Sequence, residues 1–264
     1  MTNVLQRGLE FPSPFVNCKG DYHMKPGPAK LWPDVAPSWI LGLPEKLEDF
    51  CFRVYKSLIY DDRYQMYIDG LLNTLLLTLF ALLMGIVIGV VIALIRSTWD
   101  KNSNEMHGIG KWILGFFNWI CNIYLTVIRG TPVLVQLLIW WFVVFSSSRN
   151  GIAVASFAFG INSGAYVAEI IRGGIMAVDP GQMEAGRSLG FGYVSTMWHI
   201  ILPQSLKAIL PALANEFIVL LKETSVAAYV TVAELTYAGN VIGGTSYDYL
   251  VPLLFTAIIY LAMV

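Results

Sequence analysis

The stretch GLLNTLLLTLFALLMGIVIGVVIALI, residues 70–95, decides the fold class of this chain. It contains 26 consecutive residues without a charged side chain, and an α-helix needs about 20 apolar residues to cross the hydrocarbon core of a bilayer. We therefore predict a transmembrane helix here. Gly85 and Gly89 within it have the small-x3-small spacing that lets two membrane helices approach closely.

The composition of the whole chain agrees with a membrane protein. Of the 264 residues 56% are hydrophobic and only 13% are charged, whereas about a quarter are charged in soluble domains. This excludes an ordinary cytosolic enzyme. The 17 basic and 18 acidic residues nearly cancel, which argues against a nucleic-acid-binding or a disordered chain. Three widely spaced cysteines and three isolated histidines predict neither a disulfide framework nor a metal site.

The remaining apolar segments predict an all-α integral membrane fold with about five transmembrane helices. Residues 112–148 are interpreted as one span plus an interfacial helix, because the Arg129-Gly-Thr-Pro132 break would leave backbone groups unpaired in lipid if it joined two full crossings. Later spans are predicted at 152–172, at 207–221 and from 249 onward. The last is still apolar at Val264, so we expect the sequence to be truncated within this helix.

The segments before the first span differ from it in composition. Residues 1–44 hold seven of the twelve prolines and are expected to form a poorly ordered extracytoplasmic tail. Residues 45–67 carry apolar side chains at helical intervals, which predicts an amphipathic helix on the membrane surface, and residues 68–264 form the transmembrane domain. Lys and Arg concentrate in the connections 96–129 and 172–207, which places these connections in the cytoplasm and the N-terminus outside.

The connection at residues 178–203 is predicted to be structured. Asp179, Pro180 and Gln182 have the pattern of a capped helix start, and Gly190 is predicted to end that helix. A second short helix is expected from Tyr193 to Leu202, before the next span.

Within this connection Glu184-Ala185-Gly186, Gly190, Ile200 and Leu202-Pro203 follow the spacing EAA-x3-G-x9-I-x-LP, with Gly186 in place of the second alanine. This pattern resembles the EAA loop of permease subunits in ABC importers. The resemblance covers about residues 61–264. Four further segments resemble the polar amino-acid branch of that family: RGTPVLVQ (129–136), NSGAYVAEIIRGGI (162–175), GQMEAGRSLGFG (181–192) and LPQSLKAILPALANEFIVLLKETS (202–225).

The resemblance implies a multi-pass permease of the type I importer fold, in a prokaryotic plasma membrane, that imports polar amino acids. It implies a cytoplasmic coupling helix that docks on an ATP-binding cassette ATPase, with Phe191 as apolar anchor and Glu184 paired with a basic group of that partner. The residues of this coupling site are Glu184, Ala185, Gly186, Gly190, Phe191, Ile200, Leu202 and Pro203.

The resemblance also implies the partners of the chain. They are the ATPase subunits, an extracytoplasmic amino-acid-binding protein, membrane lipid, and a second permease that makes a homodimer or a heterodimer. The chain has no G-x4-G-K-[ST] phosphate loop. We therefore expect no cofactor and no enzyme activity of its own, because ATP would be bound by the partner subunits.

A substrate site is predicted from polar residues inside the spans, because ionisable side chains in a membrane bundle are costly and indicate function. An amino acid needs donors for its carboxylate and an acceptor for its ammonium group. For Glu169 the alternative is an ion pair with Arg172 on the same helix, and for Glu216 it is a permanent partner such as Arg172 or Lys222. The candidate residues are Asn162, Ser163, Tyr166, Glu169, Asn215 and Glu216.

Three alternatives remain open from the sequence. The same fold can carry another small solute, such as methionine or a phosphonate. The chain can be a membrane-embedded interaction protein without a transport role. A membrane enzyme would need paired catalytic groups such as those of H-E-x-x-H or G-x-S-x-G, and we expect neither pattern here.

Overall fold

The computed structural model describes residues 28–103 and 107–264. Within these residues the chain is built from helices and turns, without a strand. The helices are α1 Pro28–Val35, α2 Ser38–Leu41, α3 Glu45–Leu58, α4 Tyr64–Asn102, α5 Ile109–Gly130, α6 Val133–Val144, α7 Gly151–Met176, α8 Gly181–Ser188, α9 Tyr193–Val230, α10 Leu235–Ser246 and α11 Leu250–Met263.

Four of the described helices, α4, α5, α7 and α9, are long and apolar enough to cross a membrane, and α6 and α11 are shorter apolar helices. The predicted all-α membrane fold is therefore confirmed. The predicted bounds of the span at 207–221 and of the separate helix before it are wrong, because α9 is continuous from Tyr193. A π-helical turn at Met197–Ile201 ends two residues before Pro203, and this altered hydrogen-bond ladder lets the helix continue through a residue without an N–H.

The contacts within the chain define two compact units. The first contains the described part of Met1–Thr74 together with Ala233–Val264, and the second contains Leu75–Val232.

In the first unit, helices α1 and α2 lie within the region that was predicted as a poorly ordered tail. Trp32 of α1 packs its ring against Phe52 and Tyr55 of α3, with centroid distances of 5.5 and 5.3 Å. Such aromatic pairs stabilise the packing of α1 on α3. The proline content, from which poor order was predicted, does not reveal these contacts. Residues 1–27 of the predicted tail lie outside the described residues.

The first unit also buries a carboxylate at the start of α10. Glu234 is completely buried and accepts hydrogen bonds from the backbone N–H groups of Thr236 and Tyr237, each at 2.7 Å, and from the Tyr260 hydroxyl at 2.9 Å. It therefore caps the helix and fixes α11 to it. Burial raises the pKa of Glu234 from its ordinary value of 4.5 to about 7, against the lowering effect of these hydrogen bonds.

This raised pKa predicts that the protein loses thermal stability as pH rises. Between about pH 4.5 and 7 the unfolded chain releases the Glu234 proton while the folded protein keeps it, so folding becomes less favourable by up to about 3 kcal/mol. Glu234→Gln keeps the shape and an acceptor oxygen and is expected to remove most of this slope, measured as unfolding temperature from pH 5 to 8 in nanodiscs. The exposed Glu45→Gln is the control, and an equal slope in both variants would contradict the prediction.

In the second unit, α7 is the most buried of the four long helices, and glycines let α4 approach it closely. A Cβ added to Gly89 would lie 2.5 Å from Val167 Cγ1, and one added to Gly85 would lie 3.0 Å from Ser163 Oγ. Helix α7 also has a glycine at this contact, since a Cβ added to Gly164 would lie 2.9 Å from Ile88. The spacing of Gly85 and Gly89 thus marks a real helix contact, and it holds the middle of α7 in a fixed place.

Candidate functional site

The middle of the second unit contains a buried carboxylate on α9. Glu216 is 8% exposed, and its Oε1 accepts a hydrogen bond from Ser163 Oγ at 2.9 Å. Ser163 lies at the midpoint of the 26-residue helix α7, so this contact places Glu216 at mid-depth of the helix bundle. Among the described residues Glu216 makes no ion pair. The proposed permanent partner Arg172 instead contacts Glu169 and Asp100.

Asn162, next to Ser163 on α7, is linked by hydrogen bonds to the break between helices α5 and α6. Its side-chain amide donates to Gln136 Oε1 at 3.2 Å. Gln136 in turn donates to the backbone oxygens of Ile128 and Thr131, at 2.8 and 3.1 Å. These carbonyls lie at the end of α5, where Pro132 interrupts the helix, so one glutamine satisfies backbone groups that lipid would leave unpaired.

A separate network of ion pairs ties α4 to α7. Glu169 accepts from Arg96 at 2.7 Å and from Arg172 at 3.1 Å, and Arg172 also lies 3.4 Å from Asp100. The sequence alternative for Glu169, an i,i+3 pair with Arg172, is therefore present, and Arg96 from α4 is added to it. Both oxygens of Glu169 therefore accept charge-assisted hydrogen bonds from guanidinium groups.

A polar cavity of about 440 Å³ opens beside this network. Arg129, at the end of α5, places its guanidinium 5.6 Å from the centre of the Tyr166 ring, a cation–π distance. The residues that line the cavity include Arg96, Asn122, Thr126, Arg129 and Glu169.

The structure brings together some of the predicted substrate residues and separates others. Ser163 and Glu216 are in contact, and Asn162 and Tyr166 lie on the same helix within one turn of Ser163. Asn215 is exposed on α9, and Glu169 is held in the ion network. Sequence reasoning missed Gln136, Arg96 and Asp100 as polar partners, although Gln136 stood within the quoted segment 129–136.

The connection after α7 is folded around α8. Asp179 Oδ1 accepts from the Gly181 N–H at 2.6 Å. The helix begins at Gly181, one residue later than predicted, with Pro180 at its N-cap position. The predicted capping box does not form, because Gln182 accepts from Gln204 instead, at 3.1 Å.

The end of α8 has the geometry of a Schellman motif. The Phe191 N–H donates to Gly186 O at 3.1 Å and the Gly190 N–H donates to Arg187 O at 3.0 Å, the two bonds that define this motif. Gly190 has φ +87°, a backbone conformation that is unfavourable for residues with a Cβ atom. The glycine predicted to end the helix does so for this backbone reason.

The start of α9 packs against α8 at Gly186. Gly186 is buried, and a Cβ added there would lie 2.5 Å from Thr196 Cγ2 and 3.2 Å from Ile200 Cδ1. Glycine at the second alanine position of the EAA pattern therefore leaves room for the β-branched side chain of Thr196 on the facing helix.

Gly186→Ala, which restores the family pattern, is accordingly expected to destabilise this chain, by about 1–3 kcal/mol as for other overpacked sites. Thr196→Ala removes both atoms nearest to the new Cβ, so the double variant Gly186→Ala/Thr196→Ala is expected to regain most of the loss. Unfolding temperature and uptake rate measure the effect. If Gly186→Ala alone stabilises the protein, helix propensity outweighs the clash and the prediction is wrong.

The outer surface of this connection is apolar. Leu189 and Val194 are 77% and 76% exposed, and Phe191 and Trp198 are also exposed. Glu184 lies on the exposed side of α8. Exposed apolar patches of this kind mark contacts with another protein or with lipid.

Residues 186–190 read Gly-Arg-Ser-Leu-Gly and match the G-x-S-x-G pattern of serine hydrolases, a match that sequence reasoning missed. That pattern needs a strand followed by a sharp turn and a helix. Here Ser188 lies at the end of α8, in a region without strands, and its hydroxyl donates to Glu184 O at 2.9 Å. The match therefore carries no hydrolase site.

Comparison with known proteins assigns the family. Residues 108–264 match the family described as binding-protein-dependent transport system inner membrane component. The chain is 41% identical over 152 residues to the probable amino-acid ABC transporter permease protein YckA of Bacillus subtilis strain 168, covering 57% of this chain and 67% of YckA. It is 32% identical over 209 residues to the probable glutamine ABC transporter permease protein GlnM of the same organism, covering 78% of this chain and 90% of GlnM.

A solved structure gives the same result for the fold. The crystal structure of an amino acid ABC transporter with histidines superposes with a TM-score of 0.66 at 41% identity, covering 76% of this chain and 88% of that one. The chain therefore belongs to the binding-protein-dependent transport system inner membrane components and is a permease subunit of an ABC transporter.

Proposed function

We propose that this permease imports a polar amino acid and that Glu216 binds the ammonium group of the substrate. The observation that carries the proposal is the buried Glu216 carboxylate, which lies at mid-depth beside Ser163 and makes no ion pair among the described residues. A carboxylate in that position is expensive unless a cation meets it. Secondary transporters hold their substrates near the bilayer midplane, and we place the substrate of this permease at a similar depth.

The substrate carboxylate needs donors near Glu216. Asn162 and Tyr166 flank Ser163 along α7 and are the proposed donors. Glu169 is omitted because two guanidinium groups occupy it, and Asn215 is omitted because it is exposed on α9. The relatives named for amino-acid and glutamine transport favour this substrate class over methionine or a phosphonate.

The same proposal assigns the connection 178–203 to energy coupling. The exposed apolar residues Leu189, Phe191 and Val194 would dock in a surface groove of a partner ATPase, with Glu184 paired to a basic group there. Closure of two ATPases on nucleotide would then tilt α7 and α9, shifting the population between inward-open and outward-open states.

The orientation and partners follow from this assignment. The connection would lie in the cytoplasm of a prokaryotic cell and the N-terminus outside. An extracytoplasmic binding protein would deliver the substrate, and a second permease copy or a related permease would complete the pathway.

Reconstitution tests the proposal. The permease, the partner ATPase and the binding protein are placed in proteoliposomes, and uptake of a panel of labelled polar amino acids is compared with uptake of methionine and a phosphonate. We expect ATP-dependent uptake of at least one polar amino acid. Uptake of methionine or the phosphonate alone would contradict the proposed substrate class. Co-purification with the ATPase without any uptake would favour a non-transporting interaction protein.

A further inference from the structure

An apolar groove lies between the end of α4 and the first half of α5, away from the polar residues described above. It has a volume of about 460 Å³. Gly115 forms part of its floor, since a Cβ added there would lie 3.1 Å from the Trp99 ring. The lining residues are Trp99, Lys111, Trp112, Gly115, Phe116 and Trp119.

The groove lies at the same end of the second unit as the coupling connection. Trp99 is next to Asp100, which contacts Arg172 close to the end of α7 at 3.4 Å, and the coupling connection begins directly after α7. Tryptophan is enriched where a membrane protein passes from hydrocarbon to headgroups. Trp112 is 83% exposed, so the aromatic surface is open to its surroundings at this end of the unit.

The charge of the groove is confined to one end. Lys111 is exposed and makes no ion pair with any residue that the structure describes. Phe116 and Trp119 stack with ring centroids 6.3 Å apart, and they lie five and eight residues further along α5, about 8 and 12 Å along the helix axis. The groove thus has a cationic entrance followed by an aromatic wall.

We propose that this groove binds one anionic phospholipid of the surrounding bilayer, with the lipid phosphate on Lys111 and an acyl chain along Trp99, Phe116 and Trp119. The order of charge and apolar surface in the groove matches the order of headgroup and hydrocarbon in a lipid. Basic pockets between membrane helices at an interface bind anionic headgroups. A protein segment would instead need partners for its backbone groups, and the aromatic wall offers few.

Native mass spectrometry of the full chain, taken from nanodiscs of equimolar phosphatidylglycerol and phosphatidylcholine, tests the headgroup contact. We expect the protein to retain phosphatidylglycerol over phosphatidylcholine by about fivefold, the ratio expected for one basic residue near an anionic surface. Lys111→Gln is expected to bring this ratio close to one. Lys207→Gln, an exposed lysine of α9 outside the groove, is the matched control and should keep the ratio.

A second variant tests the groove itself. Gly115→Leu fills the space against Trp99 and is expected to abolish retention of the bound lipid, whereas Gly173→Leu, at an exposed glycine with open space around it, should retain it. Equal retention of both lipids by the unmodified protein would overturn the proposal. Unchanged lipid retention in Gly115→Leu would also overturn the proposal. So would a dimer of this chain in which the groove is buried at the interface and no lipid is bound.

Discussion

Replacing Glu216 with glutamine is expected to lower amino-acid uptake by roughly tenfold to a hundredfold, the range that loss of a charged hydrogen-bond partner gives. Glutamine has nearly the same shape as glutamate, and its amide oxygen can still accept the hydrogen bond from Ser163. The fold around α7 and α9 should therefore persist. The negative charge offered to the substrate ammonium group is lost.

Two readouts separate this role from a structural one. With Glu216→Gln, the ATPase activity stimulated by the binding protein should continue while uptake falls. The variant should also discriminate less well between an amino acid and the corresponding carboxylic acid without the amino group. Asn215→Ala, a change at an exposed residue of the same helix, is the control and should leave both properties unchanged. A lower unfolding temperature with unchanged apparent substrate affinity would show that Glu216 is structural.

The sequence predicts the membrane fold and the helical connection at residues 178–203 because both depend on local patterns. The uncharged run at 70–95 lies within α4, and the separated identities around Gly190 mark α8 and the start of α9. Helix ends are harder to predict. The span expected at 207–221 extends to Tyr193–Val230, since packing and a π turn carry the helix through prolines and charges that a hydropathy pattern treats as interruptions.

Contacts between distant residues could not be predicted from these patterns. Arg96 and Glu169 are 73 residues apart in the sequence and meet where α4 packs against α7, a packing in which the α4 glycines take part. Gln136 stood in a quoted segment, but its role appears only when the break after Gly130 exposes carbonyl groups for it to bind. Gly186 departs from the EAA pattern, and the facing Thr196 gives a packing reason for this glycine.

The second large effect is expected at Gly190, where Gly190→Asp should abolish ATP-driven uptake while membrane insertion stays intact. A Cβ at this position meets no atom within 4 Å, so the side chain would point into open space beside Leu189 and Phe191. The charge would then stand on the apolar surface proposed to dock on the ATPase. Burying an unpaired carboxylate in such an interface costs several kcal/mol.

Gly190→Asn separates this charge from the backbone strain at φ +87°. Asparagine and aspartate have the same size and both tolerate the left-handed conformation, so the backbone cost should be similar in the two variants. We expect Gly190→Asn to retain most uptake and Gly190→Asp to lose both uptake and co-purification with the ATPase. Gly192→Ala, two residues on at φ −68° and also in open space, should behave like the unmodified protein. Equal losses in the Asn and Asp variants would assign the effect to the Schellman turn, and normal uptake in both would mean that this surface does not couple transport to ATP hydrolysis.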